Sequence, residues 1–212
     1  MRILVTVPLY RNIPTCLQSI HNLEWDGEIR FSFERGGDKP CRPHISDPVR
    51  SENSLRKALI HRQLMLDGSF DAMLQVDDDM LIPSDTLLKL AALDVPVAYG
   101  LYVWRNEPHH WNIVPDITED KLTFYTQAEM AAIWGKVVPV AGVGTGCVLI
   151  RRDAIERIPF VRRGVFAHDY YFAVDCLKAG IQQVCDTSVI CGHVEDELVY
   201  WPTIEGYETR DL

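Results

Sequence analysis

Short apolar runs rich in β-branched residues recur along this chain, and between them lie longer stretches whose apolar residues repeat at helical spacing. Residues 3–7 predict a buried strand. Asn12-Ile13-Pro14-Thr15 then carries the polar and proline signals of a helix start, with Cys16, Leu17, Ile20 and Leu23 on one face. Residues 29–33 predict a second strand and residues 70–76 a third, on either side of a long helix over 48–66. The intervening residues 34–47 are rich in Gly, Pro and charge and read as a long loop, a kind of segment that tends to be functional. Pro83-Ser84-Asp85 starts a helix through Leu87, Leu88, Leu90 and Leu93, and residues 95–103 return as a strand. Over 105–127 the pattern weakens into turns and short extended pieces, which are expected to cover the functional site. Residues 137–140 and 147–150 flank Gly142-Val143-Gly144-Thr145-Gly146. Helices are predicted over 152–156 and 169–178, the second closed by Gly180, with short late strands at Val184 and 188–191. Alternation of this kind predicts an α/β fold, a mostly parallel central sheet with helices on its faces, in a single compact domain.

With 212 residues, 47% of them hydrophobic, the chain is large enough for one well-buried core. Its formal net charge of -9 argues against gripping nucleic acid through a broad basic face, since that affinity comes mainly from neutralising phosphates. The first apolar run is too short for a signal or membrane segment, and nothing later approaches the roughly 18 apolar residues of a spanning helix, so a cytoplasmic protein is expected. The six cysteines are scattered with no CxxC pair, a pattern of reduced thiols packed as small hydrophobes. Arg151, Arg152, Arg157, Arg162 and Arg163 make a local basic run, read either as a solvated helix face or as a surface for a polyanionic acceptor.

The third strand runs straight into Asp77-Asp78-Asp79. Open α/β sheets bind ligands at the carboxyl ends of their strands, and three adjacent carboxylates repel one another unless water or a cation screens them. Hard divalent ions such as Mg²⁺ or Mn²⁺ take oxygen ligands of this type; the bland alternative is a solvated acidic turn.

The segment Gln75-Val76-Asp77-Asp78-Asp79-Met80-Leu81-Ile82-Pro83, followed by Val97-Ala98-Tyr99-Gly100-Leu101-Tyr102, resembles nucleotide-sugar glycosyltransferases of GT-A fold, especially bacterial and phage members of glycosyltransferase family two. Further matches follow in order: the glycine-rich turn at 142–146 with its strand, His168-Asp169-Tyr170-Tyr171-Phe172 against the family's Glu-Asp-x-x-Phe helix start, and a late strand ending in Gly192-His193. The resemblance implies a nucleoside diphosphate sugar as donor, a hydroxyl acceptor (glycan, lipid, protein or modified nucleic acid) and a divalent metal, Mn²⁺ or Mg²⁺. It assigns the metal to Asp77, Asp79 and His193, with Asp77 on the ribose or on the cation through water. The general base is Asp169. Donor binding falls to Pro8, Tyr10, Glu34, Arg56, Asp77 and Asp78, and the acceptor side to Trp104, Gly144, Thr145 and His168. Residues 1–103 form the nucleotide-sugar half and residues 104–212 the acceptor and catalytic half. His168 stands where the family carries Glu, which leaves a second expectation open: a catalytically silent module that binds a sugar nucleotide or glycan. A magnesium phosphohydrolase or nucleotidyltransferase also uses carboxylates after strands, but the chain carries no nucleophile or P-loop signature.

Overall fold

The computed structural model describes residues 1–35, 48–105, 108–142, 144–164 and 166–212. Most of the predicted loop over 34–47, and Val143 of the glycine run, lie outside them. The first half contributes β1 (Arg2–Pro8), α1 (Pro14–His21), β2 (Glu28–Glu34), α2 (Pro48–Asp67), β3 (Ala72–Val76), β4 (Met80–Leu81), α3 (Thr86–Ala92) and β5 (Val97–Leu101). The middle contributes the two-residue strands β6 (Ile113–Val114), β7 (Asp116–Ile117) and β8 (Leu122–Thr123), then α4 (Gln127–Ile133), β9 (Val137–Pro139) and β10 (Ala141–Gly142). The remainder is β11 (Cys147–Arg151), α5 (Arg152–Arg157), α6 (His168–Lys178), β12 (Gln183–Ile190), β13 (Gly192–Glu195), β14 (Leu198–Thr203) and β15 (Gly206–Asp211).

A seven-stranded sheet in the order β2-β1-β3-β11-β5-β12-β9 forms the centre. Strands β1, β2, β3, β5 and β12 run in one direction, while β11 and β9 run against their neighbours, so the sheet is mixed. Because β11 inserts between β3 and β5, the two expected halves share one sheet. Alternation along the strands sorts the core into two layers. Leu4, Met73, Val148 and Ile150 face Ala58 and Met65 of α2, Ile155 of α5 and Phe172 of α6. Their neighbours Ile3, Val5, Leu74 and Leu149 face Ile20 of α1 and Leu87 and Leu90 of α3. A second, antiparallel sheet, β15-β14-β13-β4, stands beyond the end of β3.

Three regions depart from the sequence expectation. Residues 128–136 carried no predicted element, yet α4 forms there with a capping box, in which Glu129 N–H donates to the Thr126 hydroxyl and Thr126 N–H to the Glu129 carboxylate. The late strands at Val184 and 188–191 are one strand, β12, with a register shift against β5 between Asp186 and Ile190, and the hairpin β14–β15 was not anticipated.

Four of the five arginines in the basic run serve the fold. Arg152 donates from Nε to Phe70 O at 2.7 Å and from Nη2 to Met65 O at 2.7 Å and to Gly68 O, closing the C-terminus of α2. Arg157 reaches Ala179 O at the end of α6, Arg151 reaches Ala91 O at the end of α3, and Arg163 pairs with Glu119 and Asp175. These guanidiniums are occupied by carbonyls and carboxylates of their own chain. No helix among the described residues is long and apolar enough to cross a membrane.

Arg152→Ala leaves partly buried carbonyls without their charged donor and is expected to cost roughly 2–3 kcal/mol in urea unfolding; a loss within experimental error would refute the capping role. His61 on α2 is fully buried, with neither ring nitrogen hydrogen-bonded among the described residues. Burial, and then the charge of Lys57, push it down from 6.5 to about 4. As pH falls the unfolded chain takes the proton first, so the stabilisation is complete above pH 6.5 and is lost progressively toward pH 4. Between neutral pH and that value wild type is expected to lose up to about 3 kcal/mol more than His61→Leu. Parallel stability profiles for the two proteins would exclude this.

Candidate active site

The strand β3 is buried along its whole length, and the chain leaves the sheet through Asp77-Asp78-Asp79. Met80 N–H donates to Asp77 O at 3.1 Å, closing the turn, and β4 follows at once. Antiparallel pairing of β13 with β4 sets His193 opposite Met80, and Val194 N–H donates to Asp79 O at 2.8 Å. This pairing brings the Gly-His motif onto the acid triplet, with His193 Nε2 3.5 Å from Asp79 Oδ1. His193 Nδ1 lies 2.8 Å from Val103 O. A carbonyl only accepts, so Nδ1 carries a proton, and Nε2 is the nitrogen turned toward Asp79.

The three aspartates meet three different environments. Asp78 turns away from the opening: its Oδ2 accepts the backbone N–H groups of Tyr10, Arg11 and Asn12, each at 2.7 Å. Burial holds its carboxyl above the ordinary value, against the pull of those N–H groups. Asp79 is buried too, but His193 and Arg105 outweigh the burial and hold its carboxyl below the usual range. Asp77 is pushed up to about 8, first by desolvation and then by the charges of Asp79, Asp78 and Asp169, with Arg105 offsetting part.

Arg105 is a site residue that sequence reasoning missed. It lies in the weakly patterned segment, where no periodicity or motif singles it out. Asn112, fully buried, latches that segment: its Oδ1 accepts Tyr102 N–H at 2.9 Å and its Nδ2 donates to Gly100 O at 3.0 Å. Trp104 N–H donates to His110 O at 2.8 Å, narrowing the loop whose arm carries Arg105. The Arg105 side chain is 8% exposed; its Nη1 donates to Asp79 Oδ2 and lies 3.5 Å from His193 Nε2.

Gly144, Thr145 and Gly146 lie across from the triplet, with Asp77 N–H donating to Gly146 O at 3.1 Å. The glycines are there because tyrosines fill the space a side chain would need. A Cβ on Gly142 would sit 2.1 Å from the Tyr99 ring, and one on Gly144, whose φ is +123°, 2.2 Å from the Tyr102 hydroxyl. Trp104 is half-buried beside Gly144 and packs edge-on against Phe124, which stacks on His110 at 3.6 Å. Asp169 opens α6, half-buried, with Oδ1 accepting Tyr170 N–H at 2.9 Å, and its charge reaches Asp77 and Tyr102. Thr145 is nearly buried.

The predicted donor residues gather past the ends of β1 and β2. Pro8 closes β1, Leu9 N–H donates to Glu34 O at 2.9 Å, and Arg56 Nη1 lies 3.5 Å from Glu34 Oε1. Buried Lys57, also unforeseen, donates from Nζ to Leu9 O at 2.7 Å and lies 3.4 Å from the centre of the Tyr10 ring.

Two expectations need correction. Asp78 anchors the loop that carries Tyr10 rather than reaching a donor, because the residue is buried and three convergent N–H groups hold its Oδ2. His168 lies in the interior, 3% exposed, with its ring edge-on to Phe160 at 5.6 Å. Helical spacing sets it on the same face of α6 as Phe172, which also packs on Phe160, so it does not line an acceptor surface.

Among the described residues no three His, Cys, Asp or Glu side chains are spaced as a metal cage. The Asp79 carboxylate and the His193 ring could supply one or two ligands to a divalent ion whose remaining positions are filled by water and phosphate. The position of the Arg105 guanidinium says independently that this point attracts positive charge.

Asp78→Ala is expected to free the amides of Tyr10, Arg11 and Asn12, lowering their opening free energy by roughly 2 kcal/mol in hydrogen exchange. Unchanged protection there would contradict the anchoring role.

No family model matches the chain, and no curated protein matches it. Among solved structures, A197 from STIV matches with a TM-score of 0.60 at 16% identity, covering 100% of this chain and 94% of that one. At that identity the likeness bears on the fold alone: this chain is a mixed α/β domain built on one large sheet.

Proposed function

We propose that the chain is a metal-dependent glycosyltransferase of GT-A fold, moving a sugar from a nucleoside diphosphate donor to a hydroxyl acceptor. The observation that carries the reading is the meeting of Asp79 and His193 across the β4–β13 pairing. An α/β sheet whose acid triplet lies at the carboxyl end of a central strand supports it.

In this reading Asp79 and His193 Nε2 would hold a divalent ion, which when bound would supply charge neutralisation for the diphosphate. Tyr10, over Lys57, offers a ring to the nucleoside, and Arg56 beside Glu34 offers planar donors to phosphate or base. Trp104 and the glycine turn border the acceptor, and their packing keeps water from the reacting centre. Asp169 takes the proton from the acceptor hydroxyl as that oxygen attacks the anomeric carbon, and the glycosidic bond to the diphosphate breaks. Attack from the face opposite the leaving group inverts the anomeric centre.

Asp169→Asn is expected to lower turnover by roughly 10²–10⁴-fold while leaving donor binding in place. Asp79→Ala is expected to abolish the Mn²⁺-dependent rise in melting temperature given by the best donor of a nucleotide-sugar panel. If no nucleoside diphosphate sugar stabilises the wild-type protein with any divalent ion, the reading is wrong. Tight donor binding without turnover, indifferent to Asp169→Asn, would instead identify a silent binding module.

A further inference from the structure

The geometry points to Arg105 as an internal counter-cation that competes with the divalent ion for Asp79 and His193, so that the metal binds only as the guanidinium withdraws; this rests on the cation site proposed above. Arg105 Nη1 donates to Asp79 Oδ2 and lies 3.5 Å from His193 Nε2, so it sits on the same carboxylate and against the same ring nitrogen that an ion between Nε2 and Asp79 Oδ1 would use. His193 Nδ1 is held by Val103 O whichever cation is present, so Nε2 is the nitrogen that either cation meets. A divalent ion beside Nε2 and Asp79 would stand at contact distance from the guanidinium, and two positive centres so close repel. The two states are therefore exclusive, and apparent metal affinity is the intrinsic affinity multiplied by the fraction of molecules with Arg105 withdrawn. Without metal, Arg105 also relieves the cost of a buried, ionised Asp79. Once released it is a free fork of donors beside the site, suited to the diphosphate that the ion accompanies.

Mn²⁺ binding to the full chain, without nucleotide, is followed by electron paramagnetic resonance for wild type, Arg105→Gln, Arg105→Lys and Asp79→Asn. Arg105→Gln is expected to bind Mn²⁺ at least about tenfold more tightly than wild type, because the competing state is gone. Arg105→Lys, which keeps the charge, is expected to stay near wild type, and Arg105→Gln to melt below wild type without metal but gain more from Mn²⁺. A purely structural arginine would lower stability without raising metal affinity. Should Arg105→Gln fail to fold, a Mg²⁺ titration of wild type followed by arginine ¹⁵N resonances decides: Arg105 must pass from a hindered, paired guanidinium to a freely rotating one. Equal Mn²⁺ affinity in wild type and Arg105→Gln, lost in Asp79→Asn, overturns the role of Arg105 and leaves the cation site standing. Absence of Mn²⁺ binding in every variant overturns the cation site and this inference with it.

Discussion

Burying an ionised carboxylate without a partner costs several kcal/mol, and this chain carries three consecutive aspartates out of the buried end of β3. Each aspartate meets that demand differently. Asp78 gathers the N–H groups of Tyr10, Arg11 and Asn12, Asp79 takes Arg105 and His193, and Asp77 is pushed toward its neutral form by burial and then by the charges around it. The loop after β1, the arm bearing Arg105 and the strand β13 are distant in sequence, and they meet at this turn because its charges need them.

Around this centre the shape is set by aromatic volume. Tyr99 and Tyr102 occupy the space that side chains at 142, 144 and 146 would fill, and the Tyr102 hydroxyl accepts Gly146 N–H at 3.1 Å. The glycine turn can therefore lie against the triplet and present Asp77 with a backbone carbonyl. Asn112 adds a buried latch that holds the Trp104 and Arg105 arm against β5. Positive charge away from the site serves the helices, since Arg62, Arg152 and Arg157 donate to carbonyls at the ends of α5, α2 and α6. An acidic chain thus spends much of its arginine on closing its own fold.

How much of this could be read from the residues differs by region. The strands at 2–8, 72–76 and 147–151 are nearly unbroken apolar runs, and α1, α2 and α6 repeat their apolar residues at helical spacing. Such patterns report burial directly. The capping box at Thr126 and Glu129 was equally legible, though the segment around it has too little periodicity to draw notice. The hairpin β14–β15 is mixed in character because it is largely exposed, with only Val199 and Pro202 buried, so alternation is weak there. His168 reads as polar, yet its burial comes from a helical face that packs on Phe160.

By itself, the sequence determined the α/β order of elements, the acid triplet at the end of a buried strand, and the residues around which a site is built, because those follow from local periodicity and chemical type. Only the tertiary structure decided how the triplet is divided, which strand carries His193 to it, and that Arg105 stands between them. Those are long-range consequences of β4–β13 pairing and of charge neutralisation in a buried space, and neither leaves a mark in any short stretch of residues.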